Sequence, residues 1–221
     1  MAKKKSLSIK KKHWVNIHAP KIFNEQVIGE TYTSDVDSMI NRFLSVSLAN
    51  ITNEPQKQNI SIKFKITGVK EGSLETEVYG LSMLPAAVKR LVRRNRCKID
   101  DSFVVQTKDK KVVRIKPIVL TRGKPTSSVL SAMKKFVRAH IALRFSKLNF
   151  NDFVQEVINK RFHHDLLKPL KKIYPVAVFE IREFSVVPPE KKKVKILRPV
   201  QKQETKPETK KEEKPEKQEK N

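Results

Sequence analysis

The sequence predicts an α+β fold: a curved antiparallel sheet or β-barrel-like core of about six to seven strands, with amphipathic helices docked outside. Three observations lead to this prediction. Several segments alternate apolar and polar residues with period two, polar turns join them in pairs, and two other blocks repeat apolar residues at helical spacing. Because these elements alternate along the chain, a single antiparallel sheet with helices packed on it accommodates them all.

The clearest strand covers residues 60–67, in which isoleucine and phenylalanine alternate with serine, lysine and threonine. This pattern is typical of a strand with one buried and one wet side. A turn at 68–72 contains two glycines, and residues 73–80 alternate again. The two segments are therefore predicted to form a hairpin.

A second hairpin is predicted from residues 102–107 and 112–120, which flank the polar sequence TKDKK with Asp109 at its tip. Pro117 cannot donate a hydrogen bond to a neighbouring strand, so the later strand should have an edge or a bulge there. Up to three more strands are expected in segments rich in Val, Ile, Thr, Phe or Tyr: 27–33, 43–48 and 176–187.

Helices are predicted in two places. In residues 84–96 an apolar stripe faces away from a basic side, and Pro85 fits the first helical position. The second block runs from about 126 to 148 and continues through FNDFVQEVINKRF, with Asn151 as an expected cap. Both blocks are amphipathic, as helices docked on a sheet must be.

Charge is the dominant compositional feature. The 221 residues include 48 Lys and Arg against 23 Asp and Glu, a formal charge of +25 with a pI of about 10.2. Such an excess predicts a polyanionic partner, with nucleic acid ahead of a membrane surface. No run approaches the roughly 18 apolar residues of a membrane span, and the lysine-rich start lacks the apolar core of a secretory signal, so a soluble intracellular protein is expected.

Three regions are predicted along the chain. Residues 1–12 form a basic N-terminal arm, with six lysines and no acid between positions 3 and 12. Residues 13–188 form a single RNA-binding α+β body. Residues 189–221 form a disordered Lys/Glu/Pro-rich tail, because their composition buries too little apolar surface to offset chain entropy.

The segment 85–124 holds 13 basic and three acidic residues. Cations fixed on a helix face and on alternating strand positions suit a phosphate backbone, although a solvated basic face is the plainer alternative. The candidate RNA-binding residues are Lys10, Lys11, Lys12, Trp14, Lys89, Arg90, Arg93, Arg94, Arg96, Lys98, Arg114, Lys116, Arg122, Lys124, Lys134, Lys135 and Arg138. For Trp14, stacking on a base competes with the commoner role of anchoring the arm to the core.

No catalytic, cofactor or metal site is predicted. Five glycines provide neither a P-loop nor a GxGxxG motif, and the single cysteine, Cys97, excludes a disulfide scaffold and a classical zinc finger. No base is visible near Cys97 to activate its thiol. His163, His164 and Asp165 lack a third ligand at matching spacing, so they are interpreted as ordinary surface or helix-end residues, and His140 as a packed histidine.

Three ordered blocks resemble a known family: HWVNIHAPKIF with VIGET, then LVRRNRCKIDDSFVVQTKDKKVVRIKPIVLT, then KKIYPVAVFEIR. They resemble the archaeal and eukaryotic small-subunit ribosomal protein family called S-one-e or S-three-A-e, over roughly residues 10–187. The resemblance implies a non-enzymatic, cytoplasmic, ribosome-bound protein with a β-barrel-like core on the platform of the small subunit, near the messenger exit. Residues 42–52 and the helix MKKFVRAHIALRF depart from the family pattern.

The implied partners are small-subunit ribosomal RNA and neighbouring platform proteins, and contact with messenger RNA near the exit stays open. No cofactor, membrane or small-molecule substrate is implied. Two alternatives keep the basic body but change its role. The first is a free RNA-binding translation factor or RNA chaperone, and the second is an RNA-processing enzyme with a site assembled from distant residues.

Overall fold

A branched nine-stranded sheet with helices packed on one face organises residues 11–188, which are the residues described by the computed structural model. The predicted arm, apart from Lys11 and Lys12, and the predicted tail 189–221 lie outside the described residues. The predicted α+β class is confirmed.

The elements follow in chain order. The strands are β1 (His13–His18), β2 (Val27–Thr33), β3 (Phe43–Ser47), β4 (Ile60–Lys70), β5 (Ser73–Met83), β6 (Lys98–Asp100), β7 (Phe103–Gln106), β8 (Val112–Thr121) and β9 (Val176–Val186). The helices are α1 (Leu48–Thr52), α2 (Pro85–Leu91), α3 (Ser127–Lys147), α4 (Phe150–Ile158) and α5 (Arg161–Ile173). All seven predicted strands are present. The two additional strands, β1 and β6, were not predicted, since β6 has only three residues and β1 adjoins the lysine-rich arm.

Strand β5 is the branch point of the sheet. One edge of β5 pairs with β4 along its length. The other edge pairs in parallel with Ile17 and His18 of β1 near its start, and antiparallel with β9 at residues 80–82. The resulting order is β2-β1-β5-β9-β8, with β4 and β3 on the opposite side of β5 and with β6 and β7 both paired to β8. In the described part the sheet is open, so the curved-sheet version of the prediction is the correct one.

The predicted turns have clear backbone causes. Glu71 and Gly72 close the β4–β5 hairpin with φ of 51° and 78°, as a two-residue turn that follows the strand twist requires. The β7–β8 hairpin is also confirmed, and the Asp109 carboxylate at its tip accepts a 2.9 Å hydrogen bond from the Phe150 N–H at the start of α4. The predicted irregularity at Pro117 is a bulge in the pairing of β8 with β9.

Two helix predictions need correction. Asn149, and not Asn151, occupies the N-cap position of α4, whose first residue is Phe150. The helical block is also divided, because Lys160 has a φ of 57° and separates α4 from α5. The predicted helix over 84–96 begins correctly with Pro85 but ends at Leu91.

The main core lies between α3–α5 and the face of the sheet that they cover, here called the inner face. Phe184 of β9 contacts two rings of α4, with centroid distances of 6.2 Å to Phe150 and 5.4 Å to Phe153. A second, smaller cluster joins β1 to the sheet through Val15, Ile17, Met39, Ile66 and Leu74. The β1–β2 ribbon therefore rests on its own apolar contacts.

Gly80 permits the close approach of β5 to β9. A Cβ at this position would lie 2.3 Å from the Phe184 carbonyl oxygen and 3.0 Å from the Ser185 Cα. These are backbone atoms, so they cannot move aside without separating the strands.

We predict that Gly80→Ala lowers the free energy of unfolding by roughly 1–3 kcal/mol or more, as overpacking at a fixed backbone contact does. The matched control is Gly29→Ala, where an added Cβ has no neighbour within 4 Å. The control should change stability by less than about 0.5 kcal/mol. Urea denaturation of both variants measures the difference, and equal midpoints would contradict this account of Gly80.

His163 lies in the first turn of α5, which agrees with the helix-end alternative, but it is buried and so is not a surface residue. Its ring lies 5.7 Å from the Phe179 ring, and its Nδ1 has no hydrogen-bond partner. Burial, together with the charges of Lys160 and His164, lowers the pKa of His163 from 6.5 to about 4.

This shift predicts acid sensitivity. The unfolded chain binds a proton at His163 below pH 6.5, whereas the folded chain does so only near pH 4, so stability is full above pH 6.5 and is lost as the pH falls toward 4. The contribution is at most about 3 kcal/mol. His163→Leu should remove most of this dependence in urea titrations between pH 4 and 7. The exposed neighbour provides the control, because His164→Ala should retain the dependence.

Candidate nucleic-acid interface

The face of the sheet opposite α3–α5, here called the outer face, carries mainly short polar side chains. Register partners on neighbouring strands point to the same face, so the strand pairing defines rows across it. The first row is Ser47, Ser61, Ser82, Glu183 and Lys116. The second row is Ser45, Lys63, Gly80, Ser185 and Arg114.

Each row crosses five strands, which is about 19 Å at the usual strand spacing. The serine hydroxyls of both rows make no hydrogen bond to any other described residue and are partly or fully exposed. Short side chains leave the surface low, so a sugar–phosphate backbone could approach it closely and accept hydrogen bonds from the hydroxyls.

Cations border these serines. Arg114 has no carboxylate within ion-pair range among the described residues, while the Lys116 ammonium lies 2.7 Å from a Glu183 carboxylate oxygen. Arg182 has no register partner on β8, because the bulge pairs Glu183 with Lys116 and Ile181 with Pro117. The bulge thus adds one more cation to the outer face, and its guanidinium lies 3.7 Å from an Asp100 carboxylate oxygen.

A cleft of about 510 Å³ lies between the outer face and α2. Three cations line it, namely Lys63 from β4, Lys89 from α2 and Arg182 from β9. Ser82 and the apolar side chains of Pro85 and Val88 form other parts of its wall. The only acid in its lining is Glu183, which Lys116 already neutralises. This combination suits a phosphate together with the apolar surface of a ribose or base.

Sequence reasoning missed two of these three cations. Lys63 falls on the polar phase of the 60–67 strand, so the alternation places it on the wet side although it gives no sign of the cleft. Arg182 could not have been found, because its direction depends on a bulge that only strand register reveals.

Arg93, Arg94 and Arg96 do not lie on a helix, and the prediction that they do is wrong. Chain 92–97, here called the arginine loop, follows the end of α2, and Asn95 within it has a φ of 62° that an α-helix excludes. Like charges at i and i+3 or i+4 would also oppose a longer helix, since Arg93 and Arg94 follow Lys89 and Arg90 at those spacings.

The arginine loop is anchored at both ends. Before it, the Arg90 guanidinium donates a 2.8 Å hydrogen bond to the Asn59 side chain. At its last residue, the Cys97 N–H donates to the Thr121 hydroxyl at 3.1 Å, and the Thr121 N–H donates to the Cys97 carbonyl at 3.0 Å. This pairing brings Arg122 close to the end of the loop, so two predicted groups of cations meet there.

The predicted cations of α3 have different surroundings. Arg138 is bound internally, through hydrogen bonds of 2.5 Å and 2.7 Å to the two carboxylate oxygens of Asp101. Burial alone would raise the pKa of Asp101, but hydrogen bonds from Arg138 and the Ser102 N–H, with the nearby charge of Lys134, lower it. Arg138 thus tethers α3 to the β6–β7 connection, and Lys134 and Lys135 stay exposed beside it.

At the N-terminal end, Trp14 does not anchor the chain to the core, and that alternative is wrong. Its side chain is 68% exposed and contacts the Tyr32 ring at a centroid distance of 5.1 Å. The Lys12 ammonium lies 5.8 Å from the centre of the Tyr32 ring.

The predicted cations thus divide into three groups. Lys10 lies outside the described residues. Three cations have internal carboxylate partners, which are Asp100 for Lys98, Glu183 for Lys116 and Asp101 for Arg138. The others have no carboxylate partner within the described part of the chain: Lys11, Lys12, Lys89, Arg90, Arg93, Arg94, Arg96, Arg114, Arg122, Lys124, Lys134 and Lys135.

Other chemistry has little support between residues 11 and 188. No group of three or more His, Cys, Asp or Glu side chains is arranged there to hold a metal ion. None of the helices in that range has both the length and the apolar character needed to span a membrane. His140 is half-buried against Phe136, at a centroid distance of 6.0 Å, in agreement with its interpretation as a packed histidine.

Comparison with known proteins gives relatives that all have the same name. A chain from Nanoarchaeum equitans (strain Kin4-M) named small ribosomal subunit protein eS1 is 37% identical over 188 residues, covering 85% of this chain and 95% of its own. Proteins of the same name from Saccharolobus islandicus (strain L.S.2.15 / Lassen #1) and Saccharolobus solfataricus are 34% and 33% identical over 178 residues, each covering 80% of this chain and 86% of their own.

A family model described as the Ribosomal S3Ae family matches residues 1–189 of the 221. The match includes all three sequence blocks on which the resemblance was based, so that prediction is confirmed. From the extent of this match and the identity to its relatives, we conclude that the chain belongs to the Ribosomal S3Ae family.

Proposed function

We propose that this protein is a structural constituent of the small ribosomal subunit that binds ribosomal RNA through its outer face and arginine loop. The observation that carries the proposal is the cleft between the outer face and α2, where Lys63, Lys89 and Arg182 converge on a serine-lined surface. Family membership supports the ribosomal part of the proposal, because its relatives are named as small-subunit proteins.

The mode of recognition follows from the side chains available. Lysine, arginine and serine contact phosphate and sugar oxygens, which position a protein without reading sequence. Folded RNA hides its base edges in a deep major groove, so a flat cationic face recognises the shape of the backbone and its 2′-hydroxyls. The arginine loop adds guanidinium groups, which bind phosphate in a bidentate manner.

The proposal includes a location. The S-one-e resemblance implies the platform of the subunit near the messenger exit, with neighbouring platform proteins as further partners and the cytoplasm as the compartment. The family consists of structural ribosomal proteins, so the chain is not an enzyme. A free translation factor or RNA chaperone would share the basic surface but would exchange with the ribosome.

Retention on ribosomes separates these roles. We expect salt-washed small subunits purified on sucrose gradients to retain the protein in an amount equal to other small-subunit proteins. Its presence only in the light fractions would favour the exchanging factor and would contradict a structural role.

Charge reversal tests the arginine loop. Changing Arg93, Arg94 and Arg96 to Glu should weaken binding to small-subunit ribosomal RNA at least tenfold near 0.1 M salt, because fewer counterions are released. The slope of log affinity against log salt should decrease by roughly two to three. Fluorescence anisotropy with labelled ribosomal RNA over a KCl series gives both values.

The matched control reverses three exposed cations of α5, Lys168, Lys171 and Lys172, which leaves the same net charge. Because α5 packs on the inner face, this variant should lose less affinity than the arginine-loop variant. Equal losses would show that only net charge matters and would refute the proposed placement.

The serine rows predict that the surface at Ser82 must stay low and free of negative charge. Ser82→Glu should reduce affinity for ribosomal RNA by roughly tenfold or more, because it places a bulky negative group where phosphate is proposed to lie. Ser82→Ala keeps the surface low and should change affinity by less than about threefold, the loss of one modest hydrogen bond. Thermal unfolding of both variants checks that the sheet is intact, and similar affinities would rule out phosphate at this row.

A further inference from the structure

We propose that Trp14 and Tyr32, here called the aromatic pair, bind an unpaired RNA base by stacking, with Lys12 beside them for the adjoining phosphate. This inference rests on the proposed RNA-binding function and specifies one site in it. Its ligand is a nucleotide outside any duplex, whereas the outer face would contact backbone.

The strand register explains why the pair is exposed. Trp14 and Tyr32 are direct partners across β1 and β2, so both side chains leave the same face of the ribbon. Val15 and Ile17 leave the other face and are only 2% and 4% exposed in the smaller core cluster. The ribbon is therefore packed without the aromatic pair.

The two rings offer a large apolar surface to solvent. Trp14 is 68% exposed and Tyr32 is 52% exposed, and their planes are inclined by 43° at a centroid distance of 5.1 Å. The rings contact each other without covering each other's faces completely. Large adjacent exposed aromatic groups in a folded protein are typical of binding surfaces, and aromatic rings are the groups on which single-stranded nucleic acids stack.

The surrounding charge selects among possible ligands. The Lys12 ammonium lies 5.8 Å from the Tyr32 ring centre, and Lys11 precedes it in an exposed position. In sequence, residues 3–12 contain six lysines and no acid. Glu30 leaves the same face of the ribbon two residues before Tyr32, so the lysines outnumber one carboxylate and the setting favours an anion over a basic peptide. A nucleotide combines the two required features, a flat aromatic face and a phosphate.

A duplex would not satisfy the site, because base pairs within a helix expose their edges and not their faces. An unpaired base in a loop, bulge or strand end can present its face to an aromatic side chain. The ligand that we propose for the aromatic pair is therefore an unpaired nucleotide of ribosomal RNA.

A second aromatic contact serves as a control. Phe43 is 58% exposed and meets Tyr79 edge to face, at a centroid distance of 4.7 Å and an angle of 65°. Phe43 pairs in register with Lys65, and Lys65 pairs with Glu77 on the next strand. The surroundings of Phe43 therefore contain charges of both signs. Phe43→Ala removes comparable exposed ring area without touching the aromatic pair.

The chain supplies its own probe, since Trp14 is its single tryptophan. The experiment titrates the full-length protein, excited at 295 nm, with three oligonucleotides of equal length: single-stranded oligo-A, a blunt-ended duplex, and a backbone-matched abasic strand. Stacking should quench Trp14 emission with oligo-A and much less with the duplex or the abasic strand. Anisotropy of labelled oligonucleotides measures affinity independently.

Variants complete the design. Tyr32→Ala should lower the affinity for oligo-A by roughly 5- to 150-fold, the range for loss of one base–aromatic stack. It should leave the affinity for the abasic strand unchanged, and Tyr32→Phe should retain quenching. Phe43→Ala should leave the base-dependent quenching of Trp14 unchanged, and circular dichroism should show that all variants are folded.

The outcomes distinguish this inference from the function on which it rests. Salt-dependent binding of all three oligonucleotides with no base-dependent quenching would overturn the stacking site while RNA binding stands. Failure to bind any oligonucleotide or ribosomal RNA at low salt would overturn both. Base-dependent quenching that Tyr32→Ala abolishes supports the aromatic pair as the site.

Discussion

The contact between β5 and β9 at Gly80 is the constraint on which both faces of the sheet depend. The absence of a side chain there lets the Phe184 carbonyl approach, which joins the β3–β4–β5 part of the sheet to the β8–β9 part. On the inner face this junction continues the core from Leu81 to Phe184 and on to α4. On the outer face it aligns the serines of β3, β4, β5 and β9 with the cations of β4 and β8, so one backbone contact organises both packing and the candidate interface.

Charge is distributed unevenly over this framework. The inner face is sealed by phenylalanine contacts and carries no part of the proposed interface, whereas the cleft on the outer face collects Lys63, Lys89 and Arg182. A contrasting cleft of about 470 Å³ beside the β4–β5 turn is lined by Glu25, Glu71, Glu75 and Glu77 together with Lys21 and Lys70. The charge of the surface therefore changes along the sheet, from the acidic cleft beside the β4–β5 turn to the cationic cleft beside α2. A polyanion would be attracted to the cationic cleft.

Sequence patterns predicted the elements better than their relation to one another. Alternation over 60–67 and the glycines after it were enough to predict the first hairpin, since both signals are local. The helix over 84–96 was too long, because an amphipathic pattern does not reveal that Asn95 adopts a left-handed conformation. Lys98, Lys116 and Arg138 were recognised as basic, but their carboxylate partners include Glu183 and Asp101, whose proximity depends on register and docking. For Trp14 the sequence leaves base stacking and anchoring of the arm open, and only its partner across β1 and β2 shows which way it points.

The bulge at Arg182 reverses the parity of the inward-facing residues of β9, as a second register shift between Val176 and Val178 also does. Between the two shifts the inward residues are Phe179 and Ile181, and after the bulge at Arg182 the inward residue is Phe184. Removing one residue at the bulge would turn the part of β9 after it over, which would expose Phe184 and bury Glu183. Substitution at position 182 changes only a side chain, whereas a change in length exchanges the two surfaces of the sheet. We therefore expect the number of residues in this strand to be conserved among related chains, because one insertion or deletion would exchange its two faces.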